Sequence, residues 1–333
     1  MPALRPAAFF ERILSRFPRC DFAAFYGSGV YAQEEKEEKE GKAGVADEAP
    51  MVDLLIGTRD AAAWHRDNGA ANANDYVFPF RSLNNMTSGK ATSMFQELGG
   101  ARMWFNPYVE AQGEDVMLKY GVISMKHLEE DLSDWSTLYC AGRLHKPVLV
   151  QEETERISGL RQQNLRAALI VAAALLPNQF TEFELYEKIT SLSYMGDPRF
   201  AVGGENANKV ANIVRGNVEG FRELYADRID AIDWLDCSSS DDGDRTLEKL
   251  CTTQELLHAA SVDSEMPPRM QSSFSDALSS DVDIEPSTVI ESDLSRIVRS
   301  PAAAQAVKGV VTAGIGKSVR YGLAKLRKGG VVT

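Results

Sequence analysis

The chain has 333 residues, 44 % of them hydrophobic and 25 % charged. That balance excludes a collagen-like or wholly disordered polymer and leaves room for two domains. The formal net charge of −12, taken as an average, disfavours an anionic membrane or a nucleic acid as partner.

Position overturns the average. Residues 230–293 hold 16 acidic and 3 basic side chains, whereas 295–333 hold 8 basic ones and no acid. The four cysteines form no C-x-x-C pair, and the four histidines are scattered. A disulfide scaffold and a zinc site are therefore disfavoured, and a reduced compartment is expected. The longest strongly apolar run, 167–177, is well short of the roughly 20 residues a spanning helix needs.

In chain order, 1–20 carries Arg5, Arg12, Arg16 and Arg19 against one acid, Glu11, with Phe9, Phe10, Ile13, Leu14 and Phe17 at helical spacing. The pattern fits either an organellar presequence or the first amphipathic helix of a domain. Residues 22–25 read as a strand ending in the turn Tyr26-Gly27-Ser28-Gly29. A charged loop at 34–42 separates it from a second strand, 51–57, with Asp53 embedded in it. Segments 101–108 and 117–124 are rich in aromatic and β-branched residues and predict further strands. A helix is expected over 127–139, and a longer one over 152–176 that Pro177 stops. Thr181 with Glu184 three residues on predicts a helix cap. The chain then reads as mostly helical to about 225, which places a boundary near 150. Residues 238–280 are rich in Ser and Asp, and most of that stretch is expected to be flexible. Over 302–328, Val307, Val310, Val311, Ile315, Val319, Leu323 and Leu326 alternate with Lys308, Lys317, Arg320, Lys325, Arg327 and Lys328. That is a basic amphipathic helix, suited to an anionic membrane surface or to ordinary packing with a solvated face.

Several residues can carry chemistry. A glycine-serine turn lets backbone N–H groups and the Ser28 hydroxyl approach phosphate oxygens. Asp53 on the facing strand is suited to Mg²⁺, which joins one or two carboxylates to substrate phosphates. Lys119, within an apolar run, is either an edge-strand gatekeeper or a buried phosphate ligand. Arg143 and Lys146 sit beside Gly142 and Pro147 in a cationic loop. Asp197 and Arg199 fit an internal ion pair, or Arg199 with Lys209 fits a second anion site. His65 reads as structural.

Taken together, Tyr26-Gly-Ser-Gly-Val-Tyr31, Val52-Asp-Leu-Leu55, Trp64-His65, Lys119-Tyr-Gly-Val122, the run Asp131 to Trp135 ending in Leu138-Tyr139, Ala141-Gly-Arg-Leu-His-Lys-Pro147, Leu192-Ser-Tyr-Met-Gly-Asp197 and Lys209-Val-Ala-Asn-Ile-Val214 closely resemble the mitochondrial translocator assembly and maintenance family. Lys308-Gly-Val-Val-Thr-Ala-Gly314 resembles that family's C-terminal segment. The resemblance implies a phosphatidate cytidylyltransferase that makes CDP-diacylglycerol and pyrophosphate from CTP and phosphatidic acid and feeds cardiolipin synthesis. It implies an α+β chain: a nucleotidyltransferase-fold mixed sheet domain (1–150), a mostly helical winged-helix-like domain (151–230), an acidic, mostly flexible segment (231–293) and a basic amphipathic segment (294–333) that contacts a cardiolipin-rich membrane. It also implies a peripheral position on the matrix side of the mitochondrial inner membrane.

Carried over by position, Gly27, Ser28 and Gly29 match the nucleotidyltransferase turn and Asp53 its metal-binding acid, with Asp53 and Lys119 as the catalytic pair. Lys119, Arg143 and Lys146 fit the CTP phosphates, and Arg199 and Lys209 fit the phosphate of phosphatidic acid. The wider superfamily places a second acid two residues after the first. Leu55 stands there, so the second Mg²⁺ ligand is unassigned, with Asp197 as one possible residue. Two other classes remain open: a non-enzymatic import or assembly factor, and a nucleotidyltransferase with another acceptor such as RNA, although no RNA-binding module is visible. The sequence does not fix an oligomeric state.

Overall fold

Period-two alternation in the strands fixes the two faces of a sheet, and each face has its own apolar cover. The computed structural model describes residues 5–30, 51–111, 113–201, 208–239, 245–280 and 284–313. Helix α1 (Ala7–Ser15) precedes β1 (Phe22–Tyr26) and β2 (Met51–Thr58). Helices α2 (Ala61–Ala71), α3 (Phe80–Met86) and α4 (Lys90–Glu97) lead to β3 (Met103–Glu110) and β4 (Met117–Ser124). Helices α5 (Met125–Asp134) and α6 (Ala141–Leu144) then lead to β5 (Leu149–Glu152). The sheet order is β3-β4-β2-β1-β5; β2 and β4 run parallel and the other neighbours antiparallel.

On one face Ala23, Phe25, Val52, Leu54, Ile56 and Tyr120 pack with Phe9, Phe10 and Ile13 of α1 and with Trp64. The N-terminal amphipathic segment thus covers the sheet, as the domain-helix reading expects. The other face presents Phe22, Ala24, Leu55, Phe105 and Ile123 to the helices that follow.

Those helices are α7 (Glu155–Ala174), α8 (Glu182–Leu192), α9 (Pro198–Ala201), α10 (Lys209–Arg215) and α11 (Val218–Asp230). Between α7 and α8 lies β6 (Gln179–Thr181), which joins β7 (Leu235–Ser239) and β8 (Arg245–Lys249) in a small antiparallel sheet of order β6-β8-β7. Thr181 and Glu184 form the expected capping box on α8. The boundary expected near 150 falls inside β5, and one apolar cluster runs from Phe22 to Ala302. The 1–150 and 151–230 segments therefore share a core.

The acidic stretch departs from the flexible segment expected over 231–293. Besides β7 and β8 it forms α12 (Thr253–Val262) and α13 (Pro268–Ser279). Leu247, Leu256, Leu257, Met270, Phe274 and Ala277 are all buried. Few apolar residues suffice because Met270, Phe274 and Ala277 recur at helical intervals, leaving the acids for the outer faces. Helix α14 (Pro286–Ala313) closes the described chain and starts earlier than the helix expected from 302. Its buried face is Ile290, Leu294, Val298, Ala302, Gln305, Lys308 and Thr312. Residues 314–333, which carry most of the basic tail, lie outside the described residues, as does the charged loop at 34–42.

Candidate active site

Sheet register assembles the first wall of the site. Tyr26 pairs with Asp53 across β1 and β2, and Asp53 pairs with Lys119 across β2 and β4. Three functional side chains from distant parts of the chain thus stand side by side at one end of the sheet. Lys119 Nζ lies 3.2 Å from Asp53 Oδ1 and 5.4 Å from the Phe105 ring centroid. β4 is an interior strand, so the gatekeeper reading of Lys119 fails and the ligand reading remains.

The glycine turn fits against this wall. Gly27 has φ +83°, and a Cβ there would come within 2.9 Å of Asp53 Oδ2. Only glycine meets both demands. A Cβ on Gly29 would meet the Met51 carbonyl at 2.3 Å. Gly29 does not line the cavity; it lets the turn pass close over β2.

The cavity beside the turn has a volume of about 280 Å³. Its lining includes Gly27, Ser28, Asp53, Lys119, Arg143, Lys146, Asp197, Arg199 and Lys209. Every site residue expected from the sequence except Gly29 is present, and five cations face two carboxylates.

A loop after α5 positions the second wall. Asp131 is buried, and its carboxylate accepts from Thr137 N at 2.7 Å, Thr137 Oγ1 at 2.8 Å, Cys140 N at 2.8 Å and Ala141 N at 2.9 Å. These bonds end the helix expected over 127–139 at Asp134. Trp135 and Leu138 adopt φ of +52° and +53° to let the chain turn back. Asn164 on α7 ties the loop down, accepting from Trp135 Nε1 at 2.8 Å and donating to the Ala141 carbonyl at 3.1 Å.

Arg143 follows on α6. Its guanidinium lies 3.9 Å from the Tyr139 ring centroid, its Nε donates to the Tyr26 hydroxyl at 3.4 Å, and its Nη1 donates to the Tyr139 carbonyl. Burial raises the Tyr26 phenol to about 12, although Arg143 opposes the shift, so the hydroxyl stays protonated near neutral pH. Lys146 Nζ donates to Ser193 Oγ at 3.2 Å and lies 4.9 Å from the Tyr194 ring centroid. Lys209 Nζ is 5.2 Å from the same centroid. Burial, with Arg143 and Lys209 near it, depresses the Lys146 ammonium to about 8.

Asp197 is the ion-pair partner of Arg199. Its carboxylate accepts from Arg199 N at 3.0 Å and from Nε at 3.0 and 3.1 Å, and the Nη2 contact is 2.5 Å. These bonds reach both carboxylate oxygens and match the internal ion pair that the sequence allows for Asp197 and Arg199. His65 is buried beneath the other sheet face, with Tyr76 and Gln96 on its two ring nitrogens. Burial lowers its pKa to about 4, which makes it structural.

The sequence reading missed Tyr26, Tyr139, Tyr194 and Ser193 as lining residues, although each lies within a motif that carries the family resemblance. It also missed Val298 and Ala302, which bring α14 to the cavity wall. Their only sequence signal is the i, i+4 spacing.

A family profile described as mitochondrial phosphatidate cytidylyltransferase matches residues 10–328. Curated proteins of that name are similar to this chain over most of its length. The Danio rerio protein is 36% identical over 342 residues, covering 98% of this chain and 96% of that protein. The Xenopus laevis protein is 35% identical over 350 residues, with the same coverage. The Saccharomyces cerevisiae protein is 35% identical over 323 residues, covering 96% of this chain and 69% of that protein.

Proposed function

The chain belongs to the mitochondrial phosphatidate cytidylyltransferase family, and from that premise we propose that its cavity joins CTP to phosphatidic acid, giving CDP-diacylglycerol and pyrophosphate. One observation carries the assignment to this cavity: the Asp53–Lys119 pair and four further cations converge on it.

The reaction brings two anions together. A phosphate oxygen of phosphatidic acid forms a bond to the α-phosphorus of CTP. The bond from that phosphorus to the bridging oxygen breaks, and pyrophosphate leaves with the electron pair. The lipid supplies the nucleophile, so no covalent enzyme intermediate is needed. Catalysis reduces to positioning and to cancelling repulsion. Lys119, Arg143 and Lys146 neutralise the triphosphate, with the Ser28 hydroxyl donating at the turn. Lys209 and Arg199, on the far side of Lys146 and Tyr194, take the lipid phosphate. The Tyr139 and Tyr194 rings hold Arg143 and Lys146 at the cavity without neutralising them.

The donor set fits Mg²⁺. Asp53 offers a buried Oδ1 whose contact with Lys119 Nζ at 3.2 Å is an ion pair without hydrogen-bond geometry, and no group of three His, Cys, Asp or Glu side chains forms a metal cage among the described residues. One protein carboxylate with substrate phosphates completing the shell is the common Mg²⁺ arrangement. Asp53 would hold the ion, and the bound ion would supply charge neutralisation at the phosphates.

We read the five-stranded sheet as a nucleotidyltransferase fold, and α7, α8, α10 and α11 with the β6-β8-β7 sheet as a winged-helix-like unit. We also place the enzyme peripherally on the matrix face of the inner membrane. Consistent with that, no helix among the described residues is long and apolar enough to cross a bilayer.

The test is pyrophosphate release from CTP and phosphatidic acid by the purified chain, with CDP-diacylglycerol identified as the product. Release that is independent of phosphatidic acid, or its absence, would overturn the reading.

A further inference from the structure

The α3–α4 hairpin carries an apolar surface that the catalytic reading does not use. Met94 and Leu98 are 71% and 65% exposed. Lys90 and Met94 stand at i and i+4 on α4, and Leu98 follows directly as its C-terminal cap, so the exposed surface runs to the end of the helix. Phe78 and Met86, 83% and 81% exposed, flank helix α3 on the neighbouring side. Large apolar side chains this exposed and this close in sequence mark a contact surface.

The end of α14 extends the patch. Lys308 is buried, and its Nζ donates to the Gln96 carbonyl at 2.7 Å and reaches the Gly99 carbonyl at 3.5 Å. Those carbonyls flank Leu98 in sequence. This lysine therefore caps the C-terminal end of α4, a role different from the solvated basic face expected for it. Gln305 Nε2 donates to the Met103 carbonyl at 3.2 Å, fastening the same helix to β3. Val307 and Val311, one residue before Lys308 and one turn beyond it on the neighbouring face, are 68% and 46% exposed.

The same helix lines the cavity. Val298 and Ala302 form part of its wall, and Val307 follows Ala302 by five residues, about 8 Å along the axis. The patch and the cavity thus lie on one continuous rod. Charge selects the occupant. Between Val77 and Glu97 the chain carries Arg81 and Lys90 and one acid, Glu97, which faces His127. From 295 onward every charged residue is basic.

We propose that the outer stripe of α4, extended by the end of α14, docks on an anionic lipid surface and presents the cavity to the bilayer. This rests on the cytidylyltransferase reading, since a lipid substrate gives the docking its purpose. Apolar side chains enter the headgroup boundary while Arg81 and Lys90 stay at its charged rim. It also moves the contact from the basic tail alone to a surface built by two distant segments.

The test pairs Met94→Glu with Leu98→Glu in the full chain. Both side chains are exposed, and unchanged thermal melting verifies folding. The fraction pelleting with vesicles of phosphatidylcholine and cardiolipin should fall about tenfold. Conversion of detergent-dispersed phosphatidic acid should stay within about twofold of wild type, because neither residue lines the cavity. As a second readout, Leu98→Trp should add a fluorescence component that shifts to the blue on these vesicles and is quenched by brominated acyl chains. Undiminished pelleting of the double variant, or an added component that ignores the vesicles, would overturn the proposal. If wild type makes no CDP-diacylglycerol even in detergent, the enzymatic reading fails, and the pelleting result still decides the docking face.

Discussion

The two walls of the cavity are built on different principles. On the sheet wall, Asp53 and Lys119 are neighbours in strand register, and each charge has an opposite charge beside it. On the helical wall, Arg143 and Lys146 rest on the faces of Tyr139 and Tyr194, while Asp197, the carboxylate lining it among the described residues, is taken by Arg199. Aromatic faces hold a cation without cancelling its charge, so Arg143 and Lys146 keep their charge for incoming anions. The difference separates duties. On the proposed reading, the ion pair of the sheet wall sets the reacting geometry, and the ring-held cations of the helical wall supply affinity for phosphates. Substitutions in the sheet wall should then lower kcat, and those in the helical wall should raise KM.

The largest effect is expected at Asp53. Asp53→Asn keeps the shape, removes the carboxylate beside Lys119 and should cut kcat on the order of 10²–10³-fold. Turnover within a few-fold of wild type in a steady-state CTP assay would break the comparison at its strongest point. Arg143→Ala comes next. Losing one charge-assisted contact to phosphate costs about 1.5–3 kcal/mol, or roughly 10–150-fold in kcat/KM. That loss should appear mainly in the KM for CTP; an effect confined to kcat would reassign Arg143 to the chemical step.

The smallest effect concerns pH. The Lys146 ammonium, depressed by burial from 10.5 to about 8, loses its charge as pH rises through that value. Binding the triphosphate above pH 8 must then restore a proton. The KM for CTP should therefore climb with pH there, by up to about tenfold per unit. Lys146→Arg, which stays charged, should flatten the rise. Parallel profiles for the two proteins would remove Lys146 from the phosphate site.

Local physics made much of the molecule legible in advance. The strands at 22–25, 51–57 and 117–124 lie where alternation and apolar content put them, and the α8 cap formed where Thr181 and Glu184 require it. The acidic segment misled because its composition is polar while its few apolar residues are spaced to bury. The loop after α5 misled because the helical spacing of Leu128, Leu132, Trp135 and Leu138 continues past the true helix end. The cause is Asp131, whose carboxylate collects five donors from residues as far on as Ala141.

The segregated charge, the glycine turn, the lone acid on the second strand and the order of the cations were properties of the sequence by itself. Each depends on residue type and near neighbours. Tertiary structure alone decided that Asp53 faces Lys119, that Gly29 serves β2 rather than the cavity, and that Lys308 caps a helix some two hundred residues earlier. All three are long-range pairings set by strand register or helix docking, which no local pattern encodes. The acidic excess that opened the sequence reading lies in a segment whose described residues fold outside the cavity, while the cavity's own lining carries five cations and two carboxylates.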